Sequence, residues 1–159
     1  MTEAARILVV DDEEIVRDSF SIVLKNAGYA VETAENGREA IRKAETEFYN
    51  LALIDIRLPD MEGTELLTAM KQTTPKMVKI IVTGYPSLHN AVEAVNKGAD
   101  GYIIKPVRME ELLNIIREDL RKQQESRRYD EEKLKEFVET RIRELDTQEK
   151  CTTNAQYAA

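Results

Sequence analysis

Residues 51–59 read Leu-Ala-Leu-Ile-Asp-Ile-Arg-Leu-Pro: four apolar residues, one carboxylate, then a turn former. An apolar run that ends on a charge needs something to compensate that charge. The same grammar recurs three times. Ile7-Leu8-Val9-Val10 runs into Asp11-Asp12, residues 78–82 run into Thr83, and Tyr102-Ile103-Ile104 runs into Lys105. Each run is short and rich in Val, Ile and Leu, and helical periodicity fills the gaps. The pattern predicts a parallel sheet with crossover helices. In such open sheets ligands bind at the carboxyl ends of the strands, where the strand order reverses. Three carboxylates, a hydroxyl and an ammonium are thereby brought to one edge.

Working outward, a helix is expected over 14–27 with Ile15, Val16, Phe20, Val23 and Leu24 on its inner face, stopped by Gly28. A strand over 29–33 follows, then Asn36-Gly37 as a turn and a charged helix over 39–47 with Ala40, Ile41 and Ala44 inward. Residues 58–63, Leu-Pro-Asp-Met-Glu-Gly, form a loop, with helices over 64–72 and 88–97 and Gly98 as the stop of the latter. Residues 101–104 are the fifth strand. Leu112, Leu113, Ile115, Ile116 and Leu120 give one more helix with a core-facing stripe. Residues 121–130 then carry almost no aliphatic side chain, and periodicity resumes at Leu134, Phe137, Val138, Ile142 and Leu145. Residues 152–159 have no pattern and are expected to be disordered.

The 159 residues therefore divide into a domain over 1–122 and a charged helical extension over 123–159. From Met109 onward there are 10 Lys+Arg and 13 Asp+Glu, which suits a solvated helix, a dimerisation helix or a partner-binding arm better than a second core. The net charge of -7 argues against nonspecific nucleic-acid binding. No run reaches the roughly 18–20 apolar residues of a membrane span, and the N-terminus lacks a leader pattern, so a cytoplasmic protein is expected. Cys151 has no cysteine partner and His89 no phosphohistidine context.

Two adjacent acids at one strand end and a third at the next make the oxygen-rich pocket that a small hard cation such as Mg2+ requires. A carboxylate there could accept a phosphoryl group as nucleophile, with Lys105 and Thr83 stabilising the transferred charge. Each piece has a plainer reading: Asp11-Asp12 as helix caps, Thr83 as a turn residue, Lys105 as a solvated lysine. Their joint occurrence at successive strand ends favours the chemical one.

With these residues in view, the chain resembles a response-regulator receiver domain of two-component signalling over about residues 5–122. The resemblance rests on Asp11-Asp12, on Asp55 followed by residues 56–63, on Thr83-Gly84-Tyr85, on residues 98–102, and on Lys105-Pro106. It implies a flavodoxin-like, doubly wound α/β fold with a five-stranded parallel sheet of order 2-1-3-4-5 and five flanking helices. It further implies Asp55 as phosphoryl acceptor, Asp12 as direct and Asp11 as water-mediated Mg2+ ligand, and the Arg57 backbone carbonyl as the remaining protein ligand. Lys105 would contact the phosphoryl oxygens, and the Lys105-Pro106 peptide would be cis. Thr83 and Tyr102 would form the switch that reshapes the surface of the fourth helix, fifth strand and fifth helix. Arg57 and Tyr85 sit where they could tune water access. The implied partners are a sensor histidine kinase or phosphotransfer protein, a downstream protein and a second copy, with no membrane and no direct nucleic acid.

Two rivals remain at this level. A Mg2+-dependent phosphohydrolase would need a second acid two residues after Asp55, where Arg57 stands; the implied chain is instead no free-turnover enzyme. A scaffold whose acids only cap helices would show no Mg2+ response near Asp55. The extension could also be the linker of a longer regulator whose output domain is absent.

Overall fold

A computed structural model describes residues 3–157, with side chains to Thr153. Strands β1 (Arg6–Val10), β2 (Ala30–Ala34), β3 (Leu51–Ile54), β4 (Val78–Thr83) and β5 (Gly101–Ile104) alternate with helices α1 (Glu14–Asn26), α2 (Gly37–Thr46), α3 (Gly63–Thr73), α4 (Leu88–Asn96) and α5 (Met109–Tyr157). The sheet is wholly parallel in the order β2-β1-β3-β4-β5, the doubly wound arrangement that the apolar runs and the resemblance lead one to expect. The chain divides into two compact units, one ending at Leu120 and one beginning at Arg121.

In the first unit, period-two alternation sorts the strand residues onto two faces. Ile7, Val9, Leu51, Leu53, Ile80 and Val82 meet Phe20 and Leu24 of α1 and Leu112 and Ile116 of α5. Leu8, Val10, Ala52, Ile54 and Ile81 meet Ala40 and Ala44 of α2, Leu66, Leu67 and Met70 of α3, and Ala94 of α4. The three central strands are covered on both sides, which is why they read as unbroken apolar runs. Gly28 and Gly98 end α1 and α4 with φ of 99° and 98°, the left-handed conformation that glycine adopts without penalty.

Several expectations are corrected. Ile15 is 79% exposed: the stripe that meets the sheet is Val16, Phe20 and Leu24 at four-residue spacing, and Ile15 lies about 100° round the helix from Val16. Asn36-Gly37 is a helix start and not a separate turn. The Asn36 side chain accepts the Glu39 N–H at 2.8 Å, and Gly37 is the first residue of α2. β4 holds one charge that its apolar reading passed over, Lys79, buried to 2% exposure with its ammonium on the Met77 carbonyl at 3.0 Å.

The second unit is helical. α5 crosses residues 121–130 without a break and continues from Thr152 to Tyr157, where disorder is expected from sequence; Ala158 and Ala159 lie outside the described residues. Periodic burial is not what holds these turns. They are composed of strong helix formers and carry pairs such as Arg121–Glu125 at 2.5 Å and Arg141–Glu144 at 3.1 Å.

Candidate functional site

Register brings the distant residues level. Val10 of β1 pairs with Ile54 of β3, so Asp11 and Asp55 leave the sheet side by side, at the point where the strand order reverses. Thr83 pairs with Ile104, and Lys105 follows. The ladder continues past the strand ends: Asp11 N–H donates to Ala34 O at 3.1 Å, Asp55 N–H to Val10 O at 3.0 Å, and Lys105 N–H to Thr83 O at 2.8 Å. Each functional side chain therefore projects from hydrogen-bonded backbone.

Asp11, Asp12 and Asp55 each offer a carboxylate oxygen within 4.8 Å of the others'. Asp11 and Asp55 are buried at 2% and 5% exposure, and Asp12 is exposed. The Lys105 ammonium donates to Asp11 Oδ2 at 2.7 Å and lies 3.4 Å from Asp55 Oδ2. Asp11 Oδ1 accepts the Glu13 N–H at 2.9 Å, and the Asp11 carbonyl accepts from Arg17 at 2.8 Å. Asp55 Oδ1 is buried and makes no hydrogen bond. A buried carboxylate oxygen without a donor is costly, and beside two further acids it is the arrangement that fits a divalent cation.

Electrostatics follow the geometry. Burial pushes the Asp55 carboxyl above its ordinary value; Lys105 pulls it down and Asp11 pushes it up, with the net direction upward. Burial alone would lower the Lys105 ammonium, but the Asp11 hydrogen bond and the charges of Asp11 and Asp55 outweigh it and raise it.

Thr83 is wholly buried, and its hydroxyl accepts the Tyr85 N–H at 3.0 Å. Tyr102, on β5, packs its ring against the core, and its buried hydroxyl makes no hydrogen bond. The Arg57 guanidinium stacks over the Tyr85 ring, 3.9 Å from its centroid. The Lys105–Pro106 peptide is cis. His89 is exposed beside Glu93, and Cys151 is exposed in the second unit.

Sequence reasoning missed Asp60. Its two carboxylate oxygens accept the Gly37 and Arg38 N–H groups, both at 2.9 Å, so the loop that follows Asp55 caps α2 from outside. Gly63 closes that loop with its N–H on Ile56 O at 2.6 Å. Turn composition marks 58–63 as a loop, but no local signal says which helix its acid would cap.

Comparisons with known proteins identify the family. Residues 7–117 match the family described as "Response regulator receiver domain". The regulatory protein AtoC of Escherichia coli K12 is 37% identical over 123 residues, 77% of this chain and 27% of that protein. The chain spans about a quarter to a half of the length of the curated relatives it matches. Among solved structures, a CheY-like receiver domain protein from Methanospirillum hungatei JF-1 is 50% identical with a TM-score of 0.77, over 78% of this chain and 99% of that one. TrrA from Thermotoga maritima, solved in complex with Mg(2+)-BeF, is 32% identical with a TM-score of 0.66, over 72% of this chain and 98% of that one.

Proposed function

The chain belongs to the response regulator receiver family, and from that premise we propose that residues 1–122 accept a phosphoryl group on Asp55 from a histidine kinase or phosphotransfer protein. The observation that carries this reading is the buried Asp55 carboxylate, with Oδ1 unpartnered and Oδ2 facing Lys105. An Asp55 oxygen attacks phosphorus, the donor's phosphorus–nitrogen bond breaks, and its electron pair returns to the imidazole, which takes a proton. Lys105, resting on Asp11 before transfer, follows the new charge to the phosphoryl oxygens. The Thr83 hydroxyl leaves the Tyr85 N–H to donate to the same group.

Asp11, Asp12, Asp55 Oδ1 and the Arg57 carbonyl would hold Mg2+, which when bound offsets the repulsion between carboxylate and phosphoryl oxygens. TrrA was solved in complex with Mg(2+)-BeF, which supports Mg2+ as the cation. Hydrolysis reverses the modification: water attacks phosphorus and Asp55 leaves as carboxylate. The group turns over on the chain itself, so the protein acts as a signalling acceptor and not as an enzyme with a free substrate.

The signal leaves through Thr83 and Tyr102 to the face of α4, β5 and α5. Leu88, Val92, Val95 and Ile104 are all more than half exposed there, an apolar set suited to a downstream protein. No helix of the described residues is long and apolar enough to cross a membrane. Beyond residue 122 the helix, described to Tyr157, would serve as a partner-binding arm or as the linker to an output module.

The test is intact mass after incubation with acetyl phosphate and Mg2+. The expected result is a gain of about 80 Da, one phosphoryl group in acyl linkage, lost with a chelator and in Asp55→Asn. Absence of the adduct in the wild type, with both acetyl phosphate and a panel of phosphorylated kinases, would overturn the assignment.

A further inference from the structure

The second unit carries a helical stripe that nothing in the phosphotransfer reading uses. Leu134, Phe137, Val138, Ile142 and Leu145 are between 46% and 65% exposed, and at about 100° per residue they share one side of α5. Around them the charges are balanced: nine Lys+Arg and nine Asp+Glu fall between Arg121 and Lys150. A helical segment with equal numbers of both signs suits a copy of itself better than a strongly charged partner.

We propose that this stripe pairs with a second copy of the same helix, antiparallel, about a two-fold axis between Glu139 and Thr140. In that register Leu134 lies level with Leu145 of the other copy, and Phe137 with Ile142 of the other copy. The charged margins decide the direction. By helical periodicity Lys135 and Asp146 lie on one margin of the stripe, and Lys133 and Glu144 on the other. An antiparallel two-fold pair sets each margin against its own counterpart. Lys135 then faces Asp146 across the seam and Lys133 faces Glu144, each within one helical turn, and the symmetry repeats both pairs; against these four attractive contacts stands one like-charge contact, Glu139 with its own copy at the axis.

A parallel pair sets opposite margins together at the same level. Lys133 would then face Lys135, and Glu144 would face Asp146, so like charges would meet at both ends of the stripe. Arg141 is the one charge inside the stripe. Glu144 of its own helix holds it at 3.1 Å, toward the margin and off the seam. Five apolar residues per helix make a small interface, which predicts a reversible dimer of micromolar affinity and not an obligate one.

The experiment uses the full chain with Cys151→Ser, so that no native thiol competes. Leu134→Cys and Leu145→Cys chains are oxidised separately and mixed. Antiparallel pairing yields disulfide-linked dimer only in the mixture, because in either variant alone the two cysteines are separated by 11 residues, roughly 16 Å along the helix. Sedimentation should show dimer in the wild type and at least about tenfold weaker association in Ile142→Glu and in Lys135→Glu. Adding Asp146→Lys to Lys135→Glu should restore it. Cross-linking of either cysteine variant alone, association unchanged by Ile142→Glu, or a monomer throughout the micromolar range would each overturn the proposal.

Discussion

Replacing Gly63 by alanine tests how tightly the loop after Asp55 is built. A Cβ at position 63 would stand 2.3 Å from the Asp55 carbonyl oxygen and 2.9 Å from Ile56 Cα. Both obstacles are backbone, and Asp55 is itself fixed by its N–H on Val10 O at 3.0 Å. The φ of Gly63 lies outside the left-handed region, so the added cost is steric alone. Overpacking of this kind costs about 1–3 kcal/mol. If the chain moves aside, the Gly63 N–H to Ile56 O bond at 2.6 Å weakens, for about 1 kcal/mol more. Together these give about 2–4 kcal/mol. With a urea slope of about 1–3 kcal/mol/M, the midpoint should fall by roughly 1–2 M. Near-UV circular dichroism reads mainly the packed unit, which holds four of the six tyrosines. Gly84→Ala is the control, since its Cβ would meet only Lys105 Cδ at 3.8 Å, and its stability should stay within about 0.5 kcal/mol of wild type. A Gly63→Ala midpoint equal to that of Gly84→Ala would show that the loop yields freely, and the steric reasoning would fail.

Lys79 has a folded-state proton affinity lowered by burial, against the opposing charge of Asp100; below its unfolded value near 10.4 the unfolded chain binds more protons. Wild type should therefore gain stability relative to Lys79→Met as pH climbs toward that value, and parallel pH profiles for the two would refute it. Tyr49→Phe removes a hydroxyl that donates to Glu32 at 2.5 Å. A bond to a half-exposed carboxylate should cost about 1–2 kcal/mol in urea unfolding, and a neutral result would mean that the Arg6 pair on Glu32 suffices. Asp60→Ala strips the outside cap from α2 and should cost about 1 kcal/mol. Amide exchange at Gly37 and Arg38 should quicken with it, and unchanged protection of both would refute the cap.

The sheet was legible because its central strands are covered on both faces. Double burial writes itself into sequence as an unbroken apolar run, and the residue after each run is the one at the sheet's edge. What stayed hidden depends on partners far along the chain. Asp60 is 23 residues from the amide it caps, and Glu32 meets Tyr49 only through the packing of β2 against the loop before β3. Ile15 misled because periodicity tells which side of a helix is apolar, not how far round the sheet reaches. The charged turns of α5 carry no burial signal at all: their helicity rests on propensity and local ion pairs, which a search for apolar periodicity overlooks. Of the site, the clustering of Asp11, Asp12, Asp55 and Lys105 could be foreseen from strand order. The unpartnered Asp55 Oδ1 and the resting place of Lys105 on Asp11 needed coordinates.

Lys105 lies 94 residues from Asp11 and 50 from Asp55, which orders events during synthesis. At roughly 5–20 residues per second, the ammonium is added several seconds after the acids it neutralises. Until β5 docks, the nascent chain holds a cluster of carboxylates with no countercharge, and like charges oppose its closing. The edge strand that arrives last is thus also the one that makes the acidic end of the sheet tolerable. A chain stopped before residue 105 should stay open there and be cut readily by proteases, and should not persist as a half-built copy competing for the same partners.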